Sequence, residues 1–112
     1  MTSLQLPNYL KANRRRIALS QDEVAFLLGA QSGTKVCRYE RFVHEPSLET
    51  ALAYEAIFKT SVSELFGGLY QKVEREVAER AEILAARNDQ GKAGAQTARK
   101  QQALAELAAS NT

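Results

Sequence analysis

Between Leu6 and Phe66 the apolar residues recur at spacings of three and four, and Ser, Gly and Pro residues separate the apolar runs. Such spacings place side chains on one face of an α-helix, whereas a half-buried strand would alternate apolar and polar residues, which this stretch does not do. The pattern therefore predicts an all-α domain of five short helices. We expect it to end at the glycine pair Gly67 and Gly68.

Capping and breaking residues predict where the first two helices begin and end. Pro7 suits the first turn of a first helix that ends near Leu19. Ser20 and Glu23 have the spacing of a capping box, in which each residue bonds the backbone amide of the other. We therefore expect a second helix to start after Ser20 and to end at Gly29.

A serine precedes each of the next three predicted helices. Ser32 is expected to cap a third helix that reaches about Phe42, and the segment VHEPS ends it, because proline lacks an amide donor. The fourth helix, LETALAYEAIF, follows Ser47. Ser61 and Glu64 repeat the capping-box spacing and start the fifth helix, SVSELF.

Beyond the first domain, residues 1–67, the sequence changes character. A set of apolar residues continues the helical spacing among dense mixed charges: Leu69, Val73, Val77, Ala81 and Leu84. This predicts one long amphipathic helix over residues 68–87, whose narrow apolar seam either joins two copies of the chain or packs on the chain's own first domain. Residues 88–112 are rich in Ala and Gln, and they predict a frayed helix or a disordered tail.

A helical wheel divides the third helix into two faces. The inward face consists of Val36, Tyr39, Glu40 and Val43. The outward face consists of Thr34, Cys37, Arg38 and Arg41, with Lys35 at its edge. A carboxylate on the inward face must find a cation or hydrogen-bond donors. Small residues at the helix start and free amides in its first turn would favour an anion such as phosphate, but the wheel alone does not distinguish such a site from a solvated surface.

Composition excludes some classes of protein but does not identify the function. The 15 Lys and Arg residues exceed the 13 Asp and Glu residues by too little to identify a nucleic-acid partner, so the positions of the charges matter more than their sum. The lack of tryptophan predicts an aliphatic interior. A single cysteine cannot form an intramolecular disulfide, and the sequence shows neither a membrane span nor a secretory signal. We expect a cytoplasmic protein that does not enter a membrane.

The order of these segments resembles the lambda-repressor-like family of helix-turn-helix DNA-binding domains, also called the Cro/CI or XRE family. The matching pieces are a basic first helix, SQDEVA, the helix-ending LG, V-x-R-Y-E, PSLETA and a closing S-x-x-E-L-F. The resemblance implies a five-helix bundle, followed here by the long C-terminal helix. It also implies a transcriptional regulator, expected to be a repressor, that binds a two-fold site on double-stranded DNA as a homodimer.

The resemblance also implies which residues contact DNA. By position, the base-contacting sites fall on Gly33, Thr34, Cys37 and Arg38, and the planar fork of Arg38 suits the O6 and N7 acceptors of guanine. Gln21 matches a glutamine that holds phosphate in relatives.

The turn GAQSG is one residue longer than is usual in the family, which adds Gln31 and Ser32 to the candidate contacts. Lys35 and Arg41 are expected either to contact the DNA backbone or to be solvated. The counterpart of Glu40 commonly pairs with an arginine of the first helix, and position matching places that arginine at Arg14.

Other interpretations remain open at this stage. The chain could be a protein-interaction module, such as a DNA-binding antitoxin that uses its charged helix and tail to hold a toxin. Cys37 could sense oxidation on the DNA-facing side or be a tolerated small residue, and His44 could touch phosphate or be an ordinary loop residue. An enzyme is not expected, nor a metal or cofactor, because the sequence has no metal-ligand cluster and no glycine-rich phosphate loop after a strand.

Overall fold

A computed structural model of the chain describes residues 8–88 and 94–109, and within these ranges it has seven α-helices and no strand. The prediction of an all-α protein is confirmed. The helices are α1 Leu10–Arg16, α2 Gln21–Leu28, α3 Gly33–Glu40, α4 Leu48–Phe58, α5 Val62–Leu65, α6 Gly67–Asn88 and α7 Ala95–Ala109. The chain forms two compact units, of which the first ends at Tyr70 and the second begins at Gln71.

The core of the first unit receives side chains from every helix between α1 and α5. Its fully buried large side chains are Leu10, Val24, Val36, Tyr54, Phe58 and Leu65. Tyr54 stacks on Phe58 with 5.7 Å between ring centroids, and it meets Tyr39 and Phe66 edge-on. The expectation of an aliphatic interior was therefore wrong. The chain has no tryptophan, but tyrosine and phenylalanine rings fill much of the core.

Serine side chains cap the helices as their positions predict. At α2 the capping box is complete, since Ser20 Oγ accepts from the Glu23 amide at 3.0 Å and the Ser20 amide donates to Glu23 Oε1 at 2.8 Å. Gly29 ends this helix in the left-handed conformation, with φ 78°. Ser47 and Ser61 cap α4 and α5, although the Glu64 carboxylate accepts from the Ser61 hydroxyl rather than from its amide.

The first and third helices end earlier than predicted. The predicted start of α1 at Pro7 lies outside the described residues, and the helix ends at Arg16 rather than near Leu19 because Ala18 is left-handed, with φ 63°. At the end of α3, Phe42 is likewise left-handed, with φ 53°, and the helix stops at Glu40. Phe42 then packs on the core, whereas Val43, predicted to face inward, is 56% exposed.

α6 begins inside the glycine pair, at Gly67. It extends one residue beyond the predicted helix at each end. The predicted apolar seam is only partly covered. Ala81 is buried, whereas Val73, Val77 and Leu84 are 42%, 40% and 43% exposed.

For residues 95–109 the disordered alternative was wrong, because α7 is a helix of 15 residues in which Leu104 is buried. Alanine, glutamine, lysine, arginine and leucine are strong helix formers, so a composition that we interpreted as favouring disorder also favours a helix. Residues 89–93 and 110–112 of the predicted tail lie outside the described residues.

Candidate nucleic-acid interface

α3 is anchored in the core by one face and exposed on the other. Val36 is fully buried and Tyr39 is 6% exposed. Thr34, Arg38 and Arg41 point away from the core and are exposed. The amphipathic division predicted from the helical wheel therefore holds over the length of the helix, and the exposed face carries the positive charge.

Arg14 and Glu40, the pair that the resemblance implies, lie in contact between α1 and α3. Arg14 Nε donates to Glu40 Oε2 at 2.6 Å and Nη2 donates to Oε1 at 3.2 Å, so the contact is bidentate. Arg14 Nη1 also donates to the carbonyl oxygen of Leu19 at 3.0 Å. The hydrogen bond with Glu40 raises the pKa of Arg14 above its ordinary range. The pair fixes the C-terminal end of α3 against α1.

Gln21 joins the same network from the first residue of α2. Its Nε2 donates to Glu40 Oε1 at 3.1 Å, which ties the side chain to the ion pair. The predicted phosphate contact of Gln21 stays a prediction. It would have to use the second hydrogen on Nε2 or the backbone amide, because the first Nε2 hydrogen is bonded to Glu40.

Two neighbouring open clefts flank the exposed face of α3. The first, of about 610 Å³, is lined from α2 and its cap by Ser20, Gln21 and Asp22, and from α3 by Gly33, Thr34, Cys37, Arg38 and Arg41. The second, of about 540 Å³, lies over the turn and is lined by Gly29 to Ser32 together with Thr34, Lys35 and Arg38. Thr34 and Arg38 line both clefts, so these two side chains lie where the clefts meet.

The structure thus gathers all nine residues that were expected to contact DNA around two adjoining clefts. Three of them, Lys35, Arg38 and Arg41, are exposed cations. Of the described residues that line the clefts, Asp22 alone is acidic. The local balance of charge is therefore positive, although the whole chain carries only +2.

Gly33 differs from the other candidates because it is buried. Its amide donates to Asp22 Oδ1 at 2.8 Å, so it is not free to bind another anion. The Thr34 amide donates to Ser32 Oγ at 3.4 Å, which engages the next amide as well. The expectation that the first turn of α3 offers free amides to phosphate was therefore wrong for these two residues, and the geometry gives Gly33 a packing role.

Sequence reasoning missed the part that Asp22 plays in this interface. Asp22 and Gly33 are separated by eleven positions, and only the crossing of α2 over α3 brings them together. Asp22 lies in the first turn of α2, where an acidic residue is favourable, and no local spacing signals its contact with Gly33.

The structure also places the two further candidate side chains, Cys37 and His44. Cys37 is half-buried on the wall of the first cleft, and His44 is exposed and meets the Tyr39 ring edge-on, at 6.1 Å between centroids. Within residues 8–88 and 94–109, no group of three or more His, Cys, Asp or Glu side chains is placed to hold a metal ion.

Comparisons of the chain with protein-family models, with curated proteins and with solved structures found no significant match. In the described part of the chain, no helix combines the length and the apolar character needed to cross a membrane.

Proposed function

We propose that the chain is a sequence-specific DNA-binding transcriptional regulator of the lambda-repressor-like type, in which α2, the turn and α3 form the helix-turn-helix. The supporting observation is the placement of nine candidate residues around two clefts that meet at Thr34 and Arg38. The proposed activity is binding to double-stranded DNA rather than catalysis, and it places the protein with the genome in the cytoplasm.

The dimensions of α3 fit this function. An α-helix with its side chains is about 10 to 12 Å in diameter, and the major groove of B-DNA is about 12 Å wide, so the groove can admit α3. With Val36 and Tyr39 held in the core, the helix presents Thr34 and Arg38 to base edges. Lys35 and Arg41 lie beside them, where they neutralise phosphates.

We further propose that the protein binds a two-fold site as a homodimer and acts as a repressor. One module of this size buries only about 600 to 1,000 Å² on DNA, so tight binding requires a second copy. Two-fold protein symmetry then requires a palindromic operator, and occupation of an operator within a promoter excludes polymerase from it.

Substitution of Arg38 tests the proposal. Operators selected from a random DNA pool should be bound by the wild type, and Arg38→Ala should lose about 1 to 3 kcal/mol of specific binding and relax one base position. Lys35→Ala and Arg41→Ala should weaken binding to all sequences alike and flatten its salt dependence.

The matched control for Arg38→Ala is Arg15→Ala, since Arg15 is an exposed arginine that lines neither cleft. It should preserve the base preference. If the pool yields no enriched sequence, or if Arg38→Ala leaves both affinity and base preference unchanged, α3 is not the reader.

A second candidate function, a DNA-binding antitoxin or another protein-interaction module, is favoured by the exposed apolar side chains of α6. Val73, Val77 and Leu84 offer a surface that a partner protein of a different kind could cover. Coexpression with the products of adjacent genes, followed by mass measurement, separates the two functions. A stoichiometric complex with one of those products would support the second function, and a homodimer would support the first.

A further inference from the structure

The contact between Asp22 and Gly33 joins the two N-terminal ends of the helices that form the proposed DNA reader. Asp22 is the second residue of α2 and Gly33 is the first residue of α3. Asp22 Oδ1 accepts from the Gly33 amide at 2.8 Å, which is a charge-assisted hydrogen bond between two consecutive helices.

Gly33 allows this contact because it has no side chain. A Cβ at this position would lie 2.6 Å from Asp22 Oδ1 and 3.1 Å from both the Asp22 amide nitrogen and the Gln21 carbonyl carbon. Two of these three neighbours are backbone atoms, which cannot rotate aside. α3 therefore starts in close contact with the backbone of α2, and a side chain at position 33 would push the Asp22 carboxylate aside and crowd that backbone.

The turn itself holds the start of α3 weakly. Its own N-cap, Ser32, accepts from the Thr34 amide at 3.4 Å, a long hydrogen bond. The Asp22 contact is shorter and carries a full negative charge, so it caps α3 from outside the turn. The extra residue of GAQSG can therefore be accommodated in the turn without moving the first residue of α3.

We propose that Asp22 is the positioning residue of this interface. Its carboxylate holds the first turn of α3 against α2 and thereby sets where Thr34 and Arg38 lie relative to the bases. This inference rests on the proposed DNA-binding function. The same carboxylate occupies the positive end of the α3 dipole, so that phosphate is kept from the first turn and the reading end of α3 remains available to base edges.

The test compares Asp22→Ala with Asp22→Asn in the full chain. Asp22→Ala removes the acceptor, so the ratio of specific to non-specific DNA affinity should fall by about 5-fold to 150-fold, the range that one bidentate base contact provides. Asp22→Asn keeps an acceptor oxygen and should retain most of the base preference while its non-specific affinity rises. Hydrogen exchange of the Gly33 amide should accelerate about tenfold or more in Asp22→Ala and less in Asp22→Asn.

Glu79→Ala is the matched control, because it also removes one exposed carboxylate, but this residue belongs to α6 and lines neither cleft. It should leave base preference and Gly33 exchange unchanged. A merely destabilising effect of Asp22→Ala would lower specific and non-specific affinity by the same factor. An unchanged affinity ratio in a folded Asp22→Ala protein would therefore overturn the positioning role.

Failure of the proposed function gives a different result. If the wild type binds no DNA while Asp22→Ala accelerates exchange at Gly33, the DNA-binding proposal is wrong and the contact still holds α3 in place. If the exchange rate at Gly33 does not change, the role of Asp22 is overturned whether or not the protein binds DNA.

Discussion

The hydroxyl group of Tyr54 lies in the interior of the first unit. The side chain is fully buried, and its hydroxyl oxygen has no hydrogen-bond partner among the described residues. Burial raises the pKa of Tyr54, and the nearby negative charge of Glu40 raises it further. The ring therefore contributes packing against Tyr39, Phe58 and Phe66, whereas the hydroxyl adds a desolvation cost.

Tyr54→Phe should accordingly leave the first unit as stable as the wild type or stabilise it by up to about 1 kcal/mol, because it removes an unpaired polar atom and keeps the ring. Urea unfolding measures the change. Phe58→Leu serves as the comparison, since loss of the stacked ring should destabilise the unit. A loss of stability above about 1 kcal/mol in Tyr54→Phe would show that the hydroxyl has a partner in solution.

The same substitution has a pH dependence of known sign. In the unfolded chain Tyr54 ionises near the ordinary tyrosine pKa of about 10, whereas the folded state holds the proton to higher pH. Below about pH 10 Tyr54 is protonated in both states, and its ionisation does not affect the free energy of unfolding. Above about pH 10 only the unfolded state loses the proton, which lowers the free energy of that state and so lowers the stability of the fold. Tyr54→Phe should flatten the fall in stability above about pH 10, as measured by urea unfolding at several pH values.

At the scale of elements, the position of α3 depends on the ion pair that ties it to α1. The side chains of Arg14 and Glu40 are only 12% and 4% exposed. Removal of either partner leaves the other charge buried, so Arg14→Ala or Glu40→Ala should each cost about 3 to 5 kcal/mol of unfolding free energy.

A double-mutant cycle tests this coupling. The variant with both substitutions should lose less than the sum of the two single losses, because no unpaired charge remains. Arg15→Ala, at an exposed position of the same helix, should change stability by less than about 0.5 kcal/mol. Additive losses in the cycle would contradict the contact.

Helix starts were predictable from the sequence because each depends on residues a few positions apart. Ser20 and Glu23 bond each other's backbone, and Ser47 caps a helix that begins at the next residue. Helix ends were less predictable. Ala18 and Phe42 adopt left-handed conformations without being glycine, so neither residue type marks the end of its helix.

In the candidate site, likewise, the features set by local spacing were predictable and the contact between helices was not. The wheel places Thr34, Arg38 and Arg41 on one face because helical spacing alone determines that face. The contact of Asp22 with Gly33 was not predictable, because it depends on how closely two helices cross, which no periodicity of either helix specifies. The resemblance supplied Arg14 as the partner of Glu40, which the wheel alone left open.

For the whole molecule, the proposed DNA binding depends on whether two copies act together. Val73, Val77 and Leu84 lie at spacings of four and seven on α6, which places them on one face of the helix. Their partial exposure leaves apolar area that association of two chains would bury. We therefore expect the full chain to be a dimer in solution through this face.

Val77→Glu should convert the dimer to a monomer, since it places a charge in the middle of the apolar face, and sedimentation should show half the wild-type mass. Binding to a two-fold operator should weaken, whereas binding to a single half-site should not change. Gln71→Glu is the matched control, because it adds the same charge at an exposed position on another side of α6 and should leave the mass unchanged. If the wild type is already a monomer and Val77→Glu only lowers its stability, the apolar seam packs within one chain. Two monomers would then bind the two halves of the proposed operator without contacting each other through α6.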